Sequence, residues 1–238
     1  MRCAGVVCAA VFLCACALWS GGCSVRSDQP TTSHLELDCP DGDVHAATLY
    51  VPGQADPPGV ILLHGAGADR HAWQSVALRL QREGYMALAP DLDATPTDVS
   101  RCVSACKACL LRQGADPENL AILGADAGAA AALRYALTDG AMQAVVLVSP
   151  GLEGAQGDLE DAMARLDDRP SLLLAAKNDA YAAACARTLK AAAPVFCQMH
   201  LYPGAAHGLD LFAASPSALS QMLYWLDEVL QASADRAQ

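Results

Sequence analysis

The chain is 238 residues long, enough for one domain with a sizeable core, and 53% of its residues are hydrophobic, many of them alanine. It carries 26 acidic against 15 basic side chains, a formal net charge of −11, which repels nucleic acid and anionic headgroups and argues against either as a charge-bound partner. No internal repeat or low-complexity tract interrupts it, and no composition break marks a second folded domain.

The first segment reads as a targeting signal. Arg2 precedes an apolar run from Cys3 to Trp19, which ends in Ser20-Gly21-Gly22-Cys23. That run is short for about 30 Å of hydrocarbon, and small residues before a cleavage point fit a secretory signal. Gly-Gly-Cys resembles the lipobox of bacterial lipoproteins, whose cysteine becomes the acylated first residue. The resemblance implies a signal peptide over residues 1–22, lipidation at Cys23 and a location in the cell envelope, with membrane contact through the lipid. Leu13-Cys14-Ala15-Cys16 is the alternative box, and an uncleaved anchor is the remaining reading; each exports the chain. Removal of residues 1–22 takes away Arg2 alone and leaves a balance of −12. Residues 23–33, polar from Ser24 to Ser33, read as a tether, and 34–238 as the folded domain.

Leu35-Glu36-Leu37-Asp38-Cys39 alternates and meets the turn signal Asp41-Gly42, so His45 to Val51 is its antiparallel partner. Val60-Ile61-Leu62-Leu63 is a continuous apolar run, the mark of a strand buried on both faces. A helical pattern covers 73–83 and stops at Gly84; Met86 to Ala89 is a short strand closed by Pro90-Asp91. Residues 97–113 form a helix ending at Gly114. Its Cys102, Cys106 and Cys109 fall on one face, either as a row of small core residues or as a thiol metal or redox site. A buried strand at 120–124 enters a helix at 127–138. Strands at 144–148, 172–176 and 195–202 then alternate with helices at 158–166, 180–192 and 216–231. Strands alternating with helices of this length predict a mostly parallel sheet covered on both faces. In an exported chain a Cys185–Cys197 bridge is possible, although sequence does not fix the pairing.

Four motifs sit at the ends of these strands. His64-Gly65-Ala66-Gly67 follows the third strand. Gly124-Ala125-Asp126-Ala127-Gly128 forms a tight strand-to-helix turn. Lys177-Asn178-Asp179 follows the strand at 172–176, and Gly204-Ala205-Ala206-His207-Gly208 follows the last strand. In this order they resemble the α/β-hydrolase superfamily, particularly its small capless members such as dienelactone hydrolases and related esterases, over about residues 34–232. The resemblance implies a site of Asp126 at the nucleophile elbow, Asp179 as acid and His207 as base. It also implies an oxyanion hole from the N–H groups of Ala66 and Ala127, and His64 as a residue that orients its loop.

Serine is expected at the elbow, and aspartate stands there. Three readings follow. Asp126 is a nucleophile toward an sp3 carbon, as in the haloalkane dehalogenases and epoxide hydrolases of the superfamily. Against that, only about twenty residues lie between Val148 and Leu172, too few for their helical cap, and Ala127 replaces the tryptophan usual in the dehalogenases. Alternatively Asp126 and His207 activate water against a small ester, because carboxylate attack on an ester carbonyl would form an anhydride. In the third reading the site has lost catalysis and binds a ligand or serves as a scaffold. Ser149, Asp91 and Asp93 read as strand-end residues. Gly65-Ala66-Gly67 lacks the third glycine and acidic partner of a dinucleotide loop, and no local metal-ligand spacing or phosphate loop is present, so the sequence implies no cofactor. A small-molecule substrate or ligand is implied; the oligomeric state is not.

Overall fold

The structure is a computed structural model that describes residues 29–39, 42–92, 96–151, 159–193 and 196–236. Cys16, Cys23, residues 24–28 of the tether, Asp41 and Asp93 lie outside the described residues. Eight strands form one sheet: β1 (Thr31–Asp38), β2 (Val44–Val51), β3 (Pro58–Leu63), β4 (Met86–Pro90), β5 (Asp116–Ala125), β6 (Met142–Val148), β7 (Ser171–Ala176) and β8 (Cys197–Tyr202). Their order is β1-β2-β4-β3-β5-β6-β7-β8. β2 is antiparallel to both β1 and β4, and all other pairs are parallel, as the element pattern predicts.

Seven helices cover the sheet among the described residues: α1 (Gln74–Arg82), α2 (Pro96–Arg112), α3 (Ala127–Thr138), α4 (Leu159–Ala164), α5 (Ala180–Ala192), α6 (Asp210–Ala214) and α7 (Pro216–Arg236). A short 3-10 helix, Arg70–Trp73, leads into α1. Side chains of a strand alternate between faces, and the parallel strands are apolar on both. Ile61, Leu63 and Ile122 therefore join one core under α2, α3, α4 and α5. Val60, Leu62 and Leu123 join the other, with Trp73, Leu80, Met222 and Trp225. Between β6 and β7 the described helix is the six-residue α4, so no cap of described residues stands over the sheet there.

Several boundaries differ from the sequence reading. β1 starts at Thr31, so the last residues assigned to the tether are part of the sheet edge, paired with Tyr50 and Val51. β5 begins at Asp116, four residues early, because its first residues are polar and lie at an exposed strand end. Cys185 and Cys197 are both buried and not joined, which corrects the bridge the sequence permits. Cys106 and Cys109 belong to the core under α2, and Cys102 is buried beside them.

Candidate active site

The C-terminal ends of the central strands gather the four motifs. At the elbow, β5 turns into α3 so tightly that a Cβ on Gly124 would stand 2.1 Å from the carbonyl oxygen of Gly128. A Cβ on Gly128 would stand 2.2 Å from that of Leu63. Only glycine fits either place. Between them Asp126 is held at φ 51° and ψ −119°, a backbone state that L-residues rarely adopt, with its N–H donating to Val148 O at 3.0 Å. The turn lifts the Asp126 side chain clear of the strand, where it is 40% exposed.

The turn after β3 reaches the same carboxylate. Ala66 N–H donates to Asp126 Oδ2 at 3.3 Å, the contact an oxyanion donor would make. Ala127, the other expected donor, opens α3 directly after the elbow. The turn is fixed by His64, which is 8% exposed. Its Nε2 accepts from Leu92 N–H at 3.0 Å, so its Nδ1 carries the ring proton and donates to Gly65 O at 2.8 Å. Both nitrogens are thus spent on backbone, and His64 is a positioning residue, as expected.

His207 and Asp179 meet from the last two strand ends. His207 Nδ1 bonds Asp179 Oδ2 at 2.6 Å, while Asp179 Oδ1 accepts from Ala182 N–H at 3.2 Å as the cap of α5. Asp179 is only 12% exposed, and its two oxygens are taken by the His207 ring and the first turn of α5. The other ring nitrogen, Nε2, lies 3.6 Å from Asp126 Oδ1. Partial burial by itself would lower the His207 pKa. The bond and charge of Asp179 and then the charge of Asp126 outweigh it, and the net shift is upward. Asp126, Asp179, His207 and Ala66 are therefore brought together as the motif order predicts.

Beside this cluster lies a cavity of about 250 Å³, walled by the Gly65–Ala68 turn, Leu92, Val99, Ala127 and Ala131. It is small and mostly apolar near the elbow. Asp91 is a strand-end anchor: its Oδ1 accepts from Arg70 N–H at 2.7 Å and its Oδ2 pairs with the Arg70 guanidinium. Ser149 was read as an ordinary strand-end residue, yet it is wholly buried, has φ 45°, and its hydroxyl finds no partner among the described residues. Nothing in the local sequence marks that strain.

A mostly parallel sheet with this strand order, an acid–histidine pair on its last two strand ends and a glycine-framed elbow facing them define the α/β-hydrolase fold. The chain belongs to the Alpha/beta hydrolase family, whose profile matches residues 60–237. No curated protein matches the chain significantly. Among solved structures it is similar to an alpha/beta hydrolase from Penicillium sp. sh18, with 12% identity, TM-score 0.76, and 84% of this chain and 99% of that one covered. It is similar also to the esterase domain of a Rhodothermus marinus protein, with 19% identity, TM-score 0.70, and coverage of 84% and 100%. A dienelactone hydrolase from Anabaena variabilis aligns at 21% identity and TM-score 0.66, covering 86% and 98%. At these identities the likeness is one of fold.

Proposed function

We propose that this protein is a hydrolase of the bacterial envelope, tethered through a lipid on Cys23, in which Asp126 is the nucleophile. Its substrate is a small molecule with a leaving group on an sp3 carbon: an alkyl ester, an alkyl halide or an epoxide. The observation that carries the reading is the split environment of the carboxylate. Oδ2 rests on the Ala66 N–H and Oδ1 faces His207 Nε2.

Acyl transfer of the serine type fits this site poorly, since the resident carboxylate already takes the oxyanion donor and its attack on a carbonyl would give an anhydride. Attack on an sp3 carbon is consistent with it; the open cleft without a cap of described residues, and Ala127 where the dehalogenases carry tryptophan, make an alkyl halide the least suited of the three substrates. One Asp126 oxygen forms a C–O bond as the leaving group takes the bonding electrons, giving an alkyl ester of Asp126; a halide or carboxylate departs, whereas an epoxide oxygen stays on the alkyl group and takes a proton from solvent. Water then gives a proton to His207 Nε2 and its oxygen adds to Asp126 Cγ. The charge that develops on the second carboxylate oxygen falls at the Ala66 N–H, and collapse releases the alcohol and restores the carboxylate. Asp179 holds the imidazole in the tautomer that this step requires. The small side chains walling the cavity favour a compact substrate.

A second reading, a non-catalytic ligand-binding protein, is favoured by one observation. Before any reaction His207 lies between two carboxylates and its proton is stabilised.

Mass spectrometry separates the two. The full chain is incubated in H₂¹⁸O with panels of short alkyl esters, haloalkanes and epoxides, and the peptide bearing Asp126 is then weighed. A nucleophilic Asp126 acquires ¹⁸O over turnovers, and His207→Gln accumulates the alkyl ester. Turnover with label in product alone would assign water activation instead. Binding of panel members without turnover or label would establish the binding protein.

A further inference from the structure

The turn between β1 and β2 and the first turns of α2 come together at one edge of the sheet. Leu37 pairs with His45 across the hairpin, so the two side chains share a face. Leu37 belongs to the core that also holds Val103 and Cys106 of α2. Cys39 lies two residues beyond Leu37, where the chain turns back through the bonds Cys39 N–H to Asp43 O and Gly42 N–H to Cys39 O, both 2.9 Å. From α2, Cys102 reaches the same place. The sulfurs of Cys39 and Cys102 and a ring nitrogen of His45 all lie within 4.8 Å of one another. One helical turn on, the buried Cys106 thiol neighbours that of Cys102. The three cysteines are at most 5% exposed.

We propose that Cys39, His45 and Cys102, with Cys106 as fourth ligand, form a structural metal site for a thiolate-preferring ion, Zn²⁺ first. Three thiolates and one imidazole are a recognised closed zinc set, with no position left for water. Zn–S bonds of about 2.3 Å in a tetrahedron place sulfurs about 3.8 Å apart. The Cys39, His45 and Cys102 atoms, all within 4.8 Å of one another, close to that with shifts of about 1 Å, and the Cys106 sulfur, outside that group, comes in by side-chain rotation from one helical turn away. Each ligating thiol gives its proton to solvent on binding. Among the described residues the cluster holds two sulfurs and an imidazole and no carboxylate, a donor set that suits a soft or borderline ion better than Ca²⁺ or Mg²⁺.

The site has a structural consequence for the cleft. Val99 walls the cavity beside the elbow, and Cys102 follows it by one turn of α2. His45 is the second residue of β2, which pairs with β4 up to Pro90, and Asp91 N–H bonds Ala46 O at 2.7 Å. A metal joining hairpin to helix therefore clamps the cleft wall supplied by α2 to the sheet edge.

The test measures metal directly. The full chain, purified in detergent without chelators, is assayed by elemental mass spectrometry and then reloaded with Co²⁺. About one Zn²⁺ per chain, with thiolate-to-cobalt charge-transfer and tetrahedral d–d bands after exchange, is the expected result. His45→Gln and Cys102→Ser should weaken binding by more than about tenfold in chelator competition, while Cys185→Ser, a buried cysteine on α5, leaves it unchanged. Stoichiometric Cu⁺ held by the same residues would support the site and assign its ion. Folded wild-type protein without stoichiometric metal and without the cobalt spectrum would overturn the proposal. So would a Cys39–Cys102 disulfide in peptides of the unreduced protein. Both readouts use wild-type protein, so the proposal stays open to refutation if the variants fail to fold.

Discussion

The strain at the elbow has a measurable sign. Asp126 holds φ 51° and ψ −119°, a conformation that costs an L-residue about 1–3 kcal/mol. Asp126→Ala keeps that cost and removes the carboxylate's contacts, a 3.3 Å bond from Ala66 and a half-exposed pairing with His207 at 3.6 Å. For groups this exposed the two together are worth about 1 kcal/mol. Asp126→Gly loses the same contacts and also the strain, but gains about 0.5–1 kcal/mol of chain entropy in the unfolded state. In the comparison of the two variants the contacts cancel. What is left is strain less entropy, between about 0 and 2.5 kcal/mol and centred at about 1–1.5 kcal/mol, so glycine should be the more stable. At most helix and strand sites the order is the reverse. Urea unfolding of both variants at one pH measures the difference directly, and in a domain of this size it appears as roughly 2–8 °C in Tm. Equal stability, or alanine above glycine, would show a relaxed elbow and refute the argument.

Gly128→Ala places a methyl 2.2 Å from Leu63 O and 2.6 Å from His64 O, both backbone atoms that cannot turn aside. It should cost about 3 kcal/mol or more in denaturant unfolding, whereas Gly140→Ala, whose Cβ meets nothing within 4 Å, should change stability by under about 1 kcal/mol. His207 has a raised folded-state pKa, so its stabilising contribution is complete below its ordinary value of about 6.5. That contribution disappears as pH rises through the folded value, and the stability difference between wild type and His207→Gln should shrink from mildly acidic to alkaline pH. A difference that grows with pH would contradict the assignment. His64→Ala removes the ring that ties Leu92 N–H to Gly65 O and should cost about 1–3 kcal/mol, with loss of turnover as Ala66 loses its aim. Unchanged Tm and kcat would show that the turn stands without it.

The parallel strands were legible because they are buried on both faces: Val60 to Leu63 has no polar residue to mislead a reading. The five residues of α6 are too few to show a helical period, and the polar start of β5 at Asp116 to Asn119 carries none of the pattern of a buried strand. At the site, the resemblance carried by the four motifs pointed to Asp126, Asp179 and His207, and the strand ends bring those three side chains together. The bond from Ala66 N–H to the Asp126 carboxylate was also legible, because the resemblance names Ala66 as an oxyanion donor facing the elbow. What no spacing could give is its 3.3 Å distance or the bond that His64 Nε2 accepts from Leu92 N–H, since each joins two loops from different strands. The cluster of Cys39, His45 and Cys102 escaped for the same reason. Its ligands come from a hairpin and a distant helix, and the helix alone shows only a row of cysteines that also reads as core.

The two carboxylates around His207 need not hold it out of use as a base. In the free protein Asp179 and Asp126 both favour the imidazolium. In the proposed reaction, alkylation of Asp126 would turn its carboxylate into a neutral ester and withdraw one of those two supports, leaving Asp179 bonded to the ring. The proton would then be easier to release when a base is first needed, and the first step would prepare the second. Asp126→Asn imitates the charge of that intermediate at nearly the same volume. NMR titration of its imidazole should give His207 a lower midpoint than in wild type, while Asp179→Asn should lower the midpoint further, because Asp179 supplies both the 2.6 Å bond and the larger charge effect. An unchanged midpoint in Asp126→Asn would mean that the elbow carboxylate does not act on His207. Ester formation could then not switch the base, and the ligand-binding reading would be the stronger.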